Sequence, residues 1–373
     1  MIYSIRDIEL LRLLRWCRYI TVKDLRRVFD DTTVQNLKAA KLIRQGTSRR
    51  ALALTAKGNA LVESLFDDLP ENTRLAHTAA DTQRRVRVSG ITLTAYQAGL
   101  NVYTRELPVL NDSKTYFHPL LMRGKGANPW SNSRIAALLR LGDTLYAAHY
   151  VCPGIGDMLL NDELNAFMNN TSRIRGVRKA FFFAGESYED ILAELDKTSG
   201  KEPGRYVSYG DAFRLLDLPV HLLPCNETGA MQLRLMSIPD YRQKLSRAAL
   251  KAQYAPAPDE VLSWDAMYEG KPFVVAADMD LRRLDAAICA AQEKGLSPVS
   301  MIALKPQFDE VLRRRYREKG LARVFTLKDD MLRELGVSLL YKPPQEAYRT
   351  EKGEVIDAPL IQATRKAGGS SGK

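Results

Sequence analysis

Apolar residues recur at helical spacing from the start of the chain. Ile5, Ile8, Leu11 and Leu14 fall at three-residue steps, and Leu10, Leu13 and Cys17 widen that stripe into a face fit for burial. Arg12, Arg15 and Arg18 are expected to project elsewhere. Ser4 and Asp7 have capping-box spacing, the hydroxyl serving free amides of the first turn and the carboxylate returning to the cap. The same signal returns at Thr21-Val22-Lys23-Asp24, opening a second helix with Leu25, Val28 and Phe29 inward and Lys23, Arg26 and Arg27 outward. Asp30-Asp31-Thr32-Thr33 breaks that run and caps a third helix reaching about Lys41. Val34 and Leu37 suit its buried side, leaving Thr32, Thr33, Gln35, Asn36 and Lys38 for solvent.

The period then changes from helix to strand. Leu42-Ile43-Arg44 is extended in character, Gln45-Gly46-Thr47-Ser48 supplies a turn, and Arg49 to Leu54 returns as a second strand. Thr55-Ala56-Lys57-Gly58 closes it, and a helix with Ala60, Leu61, Val62 and Leu65 begins. Three helices, a hairpin and a helix is the order of a winged helix-turn-helix, expected over residues 1–68. Short polar side chains opening the third helix suit a major groove, where Asn or Gln pairs with adenine edges. Arg44, Ser48, Arg49 and Arg50 on the hairpin would meet phosphates or the minor groove.

Residues 69–133 read as a helical extension and linker, with a basic run at Arg84-Arg85-Val86-Arg87 and prolines at 108, 119 and 129. A helix after a wing commonly dimerises such modules, so a homodimer is expected. Strand and helix patterns alternate over 134–342. Strands are predicted at 145–151, 180–184, 220–223, 273–277, 299–304 and 322–325, and helices at 162–168, 188–195, 239–251, 281–293 and 308–319. That alternation predicts an α/β region with a mixed, partly parallel sheet, in one body or as subdomains 134–258 and 259–342, and an α+β class for the whole chain. The sequence shows no internal repeat. Residues 343–373, ending in Gly, Ser and Lys, read as a disordered tail.

Charge adds to this reading because it is unevenly placed. Of 55 Lys+Arg and 44 Asp+Glu, residues 1–126 hold 21 and 12, a net of +9, while residues 127–373 hold 34 and 32, a net of +2. Cations gathered in one third favour phosphate neutralisation and a double-stranded DNA partner. No run of eighteen apolar residues predicts a membrane span, and the opening residues lack a signal-peptide core, so a cytoplasmic protein is expected. Cys17, Cys152, Cys225 and Cys289 are scattered without a Cys-x-x-Cys and read as buried thiols.

Two stretches resemble known families. Lys41-Leu42-Ile43-Arg44 through Ala53-Leu54-Thr55-Ala56-Lys57-Gly58 resembles the recognition-helix-to-wing segment of many bacterial winged-helix proteins. Asp7-Ile8-Glu9-Leu10-Leu11-Arg12-Leu13-Leu14 with Tyr19-Ile20-Thr21 resembles the replication-relaxation family of conjugative plasmids and transposons, a likeness continuing loosely to Leu75-Ala76-His77. It implies an N-terminal winged helix acting in element replication or transfer, with a relaxase or replication protein as a possible partner.

Catalytic signatures are sparse. Gly124-Lys125-Gly126 lacks Walker spacing, and His77, His118, His149 and His221 stand too far apart for a His-hydrophobic-His metal pair. No nucleophile elbow or Rossmann glycine pattern occurs. Asp278-Met279-Asp280 ends a hydrophobic strand, where two carboxylates could share a divalent metal. Lys305 ends the next strand, but Ala303 stands where a nuclease of the restriction-endonuclease type needs an acid. The bland alternative is that these aspartates cap the following helix. The leading expectation is a DNA-binding accessory protein without cofactor or enzymatic activity. A winged-helix regulator with a sensing or oligomerising domain, and a metal-dependent nuclease using Asp278, Asp280 and Lys305, stand as alternatives.

Overall fold

The computed structural model describes residues 3–46, 51–70, 75, 78–104, 115–118, 135–152, 157–171, 177–197, 208–344, 348–349 and 355–356. The chain divides into two compact units, Met1–Ser89 with Tyr341–Lys373, and Gly90–Leu340. Ser48, Arg49, Arg50, His77 and the Gly124-Lys125-Gly126 loop lie outside the described residues.

The first unit opens with β1 (Tyr3–Ser4) and α1 (Ile5–Cys17). Ser4 and Asp7 form the capping box, the Ser4 amide donating to Asp7 Oδ2 at 2.9 Å. Burial pushes the Asp7 carboxyl up despite the bonds from Ser4. Nearly all of α1 is enclosed, and Arg15 on it and Arg18 at its C-cap are only 4% and 5% exposed, which corrects their expected outward placement. A helix wrapped on several sides has no free face for them. Arg15 Nη2 instead donates to the Pro70 carbonyl and lies 3.5 Å from Glu63.

Next come β2 (Ile20–Thr21), α2 (Val22–Leu25), α3 (Asp31–Ala39), β3 (Ile43–Gln45), β4 (Ala51–Leu54) and α4 (Ala56–Leu65). The strands form an antiparallel sheet in the order β2-β4-β3, with Ile20 opposite Leu52 and Ile43 opposite Leu54. Val34, Leu37, Leu42, Leu52 and Val62 are buried within this unit. Thr55 caps α4 through the Gly58 amide, and a Cβ on Gly58 would lie 2.2 Å from the Leu42 carbonyl oxygen. Only glycine lets α4 start so close to the chain entering β3.

The expected tail is partly structured. Tyr348–Arg349 pairs antiparallel with β1 and with a further strand, Val355–Ile356. β1 would otherwise be an isolated two-residue strand, and the return of the chain satisfies its backbone. Arg6 also donates to the Pro343 carbonyl at 3.0 and 3.2 Å.

The division between units falls within α5 (Ala79–Gln97). Arg84 of its basic run lies 3.8 Å from Asp81, Arg85 is half-buried, and Val86 packs against Tyr19, Ala51 and Ala53.

The second unit carries two sheets. The first takes β5 (Tyr116–Phe117), β6 (Ala137–Leu141), β7 (Thr144–Tyr150), β8 (Arg178–Gly185) and β9 (Val220–Pro224) in chain order. Its helices are α6 (Asp157–Asn170), α7 (Tyr188–Leu195), α8 (Tyr209–Leu215) and α9 (Glu227–Met236), after which α10 (Tyr241–Leu250) packs on the second sheet. The second sheet takes β10 (Ala266–Tyr268), β11 (Lys271–Val275), β12 (Val299–Ala303) and β13 (Ala322–Thr326). It is served by α11 (Leu281–Glu293), by α12 (Lys305–Gln307) running into a π-helix over Phe308–Arg317, and by α13 (Asp329–Glu334).

Both sheets repeat one topology, an antiparallel hairpin followed by two parallel strands with helices between. The sequence shows no such repeat, because pairing and burial pattern carry the topology rather than residue identity. One core serves both halves, containing Phe181, Phe183 and Leu222 from the first and Val274, Met301 and Val324 from the second. The halves are therefore one body. Cys17 and Cys225 are buried, but Cys289 is exposed on α11, against expectation, since its position falls between the buried Leu284-Ile288 and Ala291 turns.

Candidate functional site

The N-terminus of α3 is fixed by two partners of Asp30. Its Oδ1 accepts the Thr33 amide at 2.7 Å, and its Oδ2 accepts Arg6 Nη1 at 2.9 Å. Partial burial alone would raise this carboxyl, but the bonds from Thr33 and Arg6 hold it below the usual aspartate range. With its start pinned, the helix turns Val34 and Leu37 into the core and presents Thr32 and Gln35 to solvent, with Asn36 and Lys38 half-exposed. Thr33 is the correction here. It is 6% exposed, because it lies one residue before Val34 and four before Leu37, on the buried face.

Beyond α3 the exposed surface continues through Lys41 and Arg44. Lys38, Lys41 and Arg44 make no ion pair among the described residues. Lys57, at the start of α4, donates to the Ala40 carbonyl at 3.4 Å and so stands beside the end of α3. The arginines of α1 and the turn around α2 differ. Arg6, Arg12 and Arg26 pair with Asp30, Asp68 and Asp31 at 2.9, 2.7 and 2.8 Å, and Arg27 lies 3.9 Å from Asp24. Uncompensated positive charge thus gathers on the α3–β3 side. Sequence reasoning missed Lys41 and Lys57 because they flank elements rather than lie on one face. The pairing of Thr55 with the Lys41 and Leu42 carbonyls, at 2.7 and 3.2 Å, is what brings them together.

The aspartates at the end of β11 are held differently. Asp280 is the N-cap of α11, its Oδ1 accepting the Arg283 amide at 3.1 Å. Asp278 is fully buried, and its Oδ2 accepts Tyr241 Oη at 2.6 Å and Arg242 Nε at 2.8 Å, with Arg283 Nη2 at 3.5 Å. Burial would raise the Asp278 carboxyl, but Arg242 first and Arg283 next hold it far below the ordinary range. Arg283 is shared with Asp265 at 2.9 Å.

Asp278 Oδ2 is therefore occupied by guanidinium and phenol donors, and Asp280 Oδ1 by the amide it caps. Lys305, at the start of α12, is exposed. Among the described residues no group of three or more His, Cys, Asp or Glu side chains could hold a metal ion.

Around this cluster runs a buried polar network that joins the two halves. Gln232 on α9 donates to the Leu222 and Asp278 carbonyls at 2.9 and 3.0 Å and accepts Tyr188 Oη at 2.8 Å. Gln307 donates to the Ala277 carbonyl at 2.9 Å and to Tyr188 Oη at 3.0 Å, while His221 Nδ1 lies 2.9 Å from the Asp278 carbonyl. Every member is satisfied, as a buried network must be to stabilise. Its work is to lock strand ends. A neighbouring cleft of about 780 Å³ is lined by Tyr146, Arg178 and Arg242, but Arg178 is paired to Asp143 and Arg242 to Asp278.

Among the described residues no helix is long and apolar enough to cross a membrane. No family model matches the chain, and neither a curated protein nor a solved structure matches it.

Proposed function

We propose that residues 1–68 act as a winged helix-turn-helix that binds double-stranded DNA, with α3 as the reading helix. In this reading Thr32, Gln35 and Asn36 face base edges, while Lys38, Lys41 and Arg44, joined by Ser48, Arg49 and Arg50 of the hairpin, meet the phosphates. One observation carries it. The open face of α3 adjoins cations that no described acid neutralises, in a unit whose other arginines are largely paired. Ordinary surface charge would be distributed without that division. The resemblance of Asp7 to Leu14 and Tyr19 to Thr21 extends the reading to an accessory protein of a mobile element, acting on its DNA during replication or transfer.

The test is duplex binding as a function of salt. Replacing Arg44, Arg49 and Arg50 with alanine should weaken binding to all duplex sequences alike. It should also flatten the dependence of log K on log salt by about 2 to 3, near 0.9 for each phosphate no longer neutralised. An unaltered slope would reject the assignment of these side chains to phosphates.

A further inference from the structure

The second unit has a charge asymmetry that its overall balance conceals. Residues 313–328 hold 7 Lys+Arg and 1 Asp+Glu, whereas the remainder of 127–373 holds 27 and 31. The run covers the end of the π-helix, a turn at Lys319-Gly320, and β13. Two of its seven cations are ion-paired, Arg313 with Glu318 at 3.7 Å and Arg315 with Asp285 at 2.7 Å. Arg314, Arg317, Lys319, Arg323 and Lys328 are exposed and make no ion pair among the described residues.

β13 is an edge strand, with β12 on one side and no described strand on the other. Ala322 and Val324 point into the core face that packs the π-helix. Arg323 and Phe325 alternate to the opposite face, and Phe325 is 46% exposed. The edge strand itself thus carries Arg323 and the exposed Phe325 on one face, while on the preceding helix and its turn Arg314 and Lys319 line a cleft that also holds Glu189, Asp196, Asp309 and Glu310. Arg317 also lies over the Phe308 ring, 5.3 Å from its centroid.

We propose that this edge is a second nucleic-acid surface, one that takes a single strand. Cations alone could guard an edge against aggregation, but a guarded edge has no use for an exposed phenylalanine. A polyanion of regular charge matches a run of exposed cations without ion pairs, and an unstacked base supplies the partner for Phe325. From Arg323 to Lys328 the chain spans roughly 17 Å at about 3.3 Å per residue, enough to follow several nucleotides. This surface is independent of α3 and does not rest on the reading of the first unit.

The full chain, titrated against labelled dT20 and rU20 at several salt concentrations, decides it. The variant R314E/R317E/R323E should weaken binding of the preferred strand at least tenfold and flatten its salt dependence by about 2, near 0.7 per phosphate. F325A should weaken it about tenfold with the slope unchanged, since stacking releases no counterions. All four side chains are exposed, so unchanged thermal melting is expected, and R314K/R317K/R323K should retain the wild-type slope. Preference for dT20 assigns a DNA strand, and preference for rU20 an RNA strand.

Wild-type affinity in both R314E/R317E/R323E and F325A would overturn the proposal. So would equal displacement by polyglutamate and by unlabelled strand, which would mark an acidic-peptide surface. If R44A/R49A/R50A instead abolished single-strand binding, the strand would lie on the first unit. The proposal would then fall while the reading of α3 stood.

Discussion

At the scale of single residues, Asp278 shows how little a carboxylate's position in sequence says about its work. Two aspartates ending a strand fit helix caps more readily than metal ligands, and the pattern holds no information on what approaches from elsewhere. Tyr241 and Arg242 lie 36–37 residues away, and Arg283 follows on the next helix. Those long-range donors turn a candidate ligand into a buried ion pair.

Asp278→Asn should destabilise the second unit by about 3–5 kcal/mol in chemical denaturation, because it leaves Arg242 and Arg283 facing a neutral group. The pH dependence has a definite sign. A depressed folded-state pKa contributes stability above the ordinary aspartate value of about 3.9, and that contribution is lost as pH falls below it. Wild-type unfolding curves should therefore weaken below about pH 4, and the variant should lose less over the same interval. A variant as stable as wild type at neutral pH would show that the pair is not structural. Thr33 and Arg15 make the same point in reverse: both read as surface polar residues, and both are buried because their neighbours leave them on an enclosed face.

At the scale of elements, legibility follows local signals. The caps at Ser4, Thr21 and Asp30 mark the first three helices, and the Phe181-Phe182-Phe183 run marks β8. α9 is missed for a physical reason. Gly229 sits in its first turn, where a Cβ would fall 1.8 Å from the Pro224 carbonyl oxygen, so a close approach that no sequence pattern announces demands glycine. Gly58 plays the same part in α4. β10 and α13, with 3 and 6 residues, are too short for periodicity to register.

The C-terminal strands carry no pattern that names their partner, since β1 lies more than three hundred residues earlier in the chain. That pairing has a testable consequence. A chain ending at Leu340 loses the strand beside β1 and the Pro343 carbonyl that binds Arg6. The first unit should melt at lower temperature, by roughly 1–3 kcal/mol of lost hydrogen bonding, and the transition of the second unit should be unmoved. No change in either transition would show that the returning strand contributes nothing.

At the scale of the molecule, two units carry different kinds of uncompensated charge. In the first, cations without described acid partners adjoin a short polar helix face; in the second, they line a sheet edge with an exposed ring. Net charge alone locates only the first, because acids elsewhere in the second unit cancel its basic run. The account stands on α3 reading a duplex. The direct measurement is selection of bound sites from a randomised duplex library by the wild-type chain and by Q35A and N36A. The account predicts a defined wild-type motif, with at least one variant relaxed at particular base pairs by about 1–3 kcal/mol. Recovery of the same motif by all three proteins, or of none by the wild type, would contradict it.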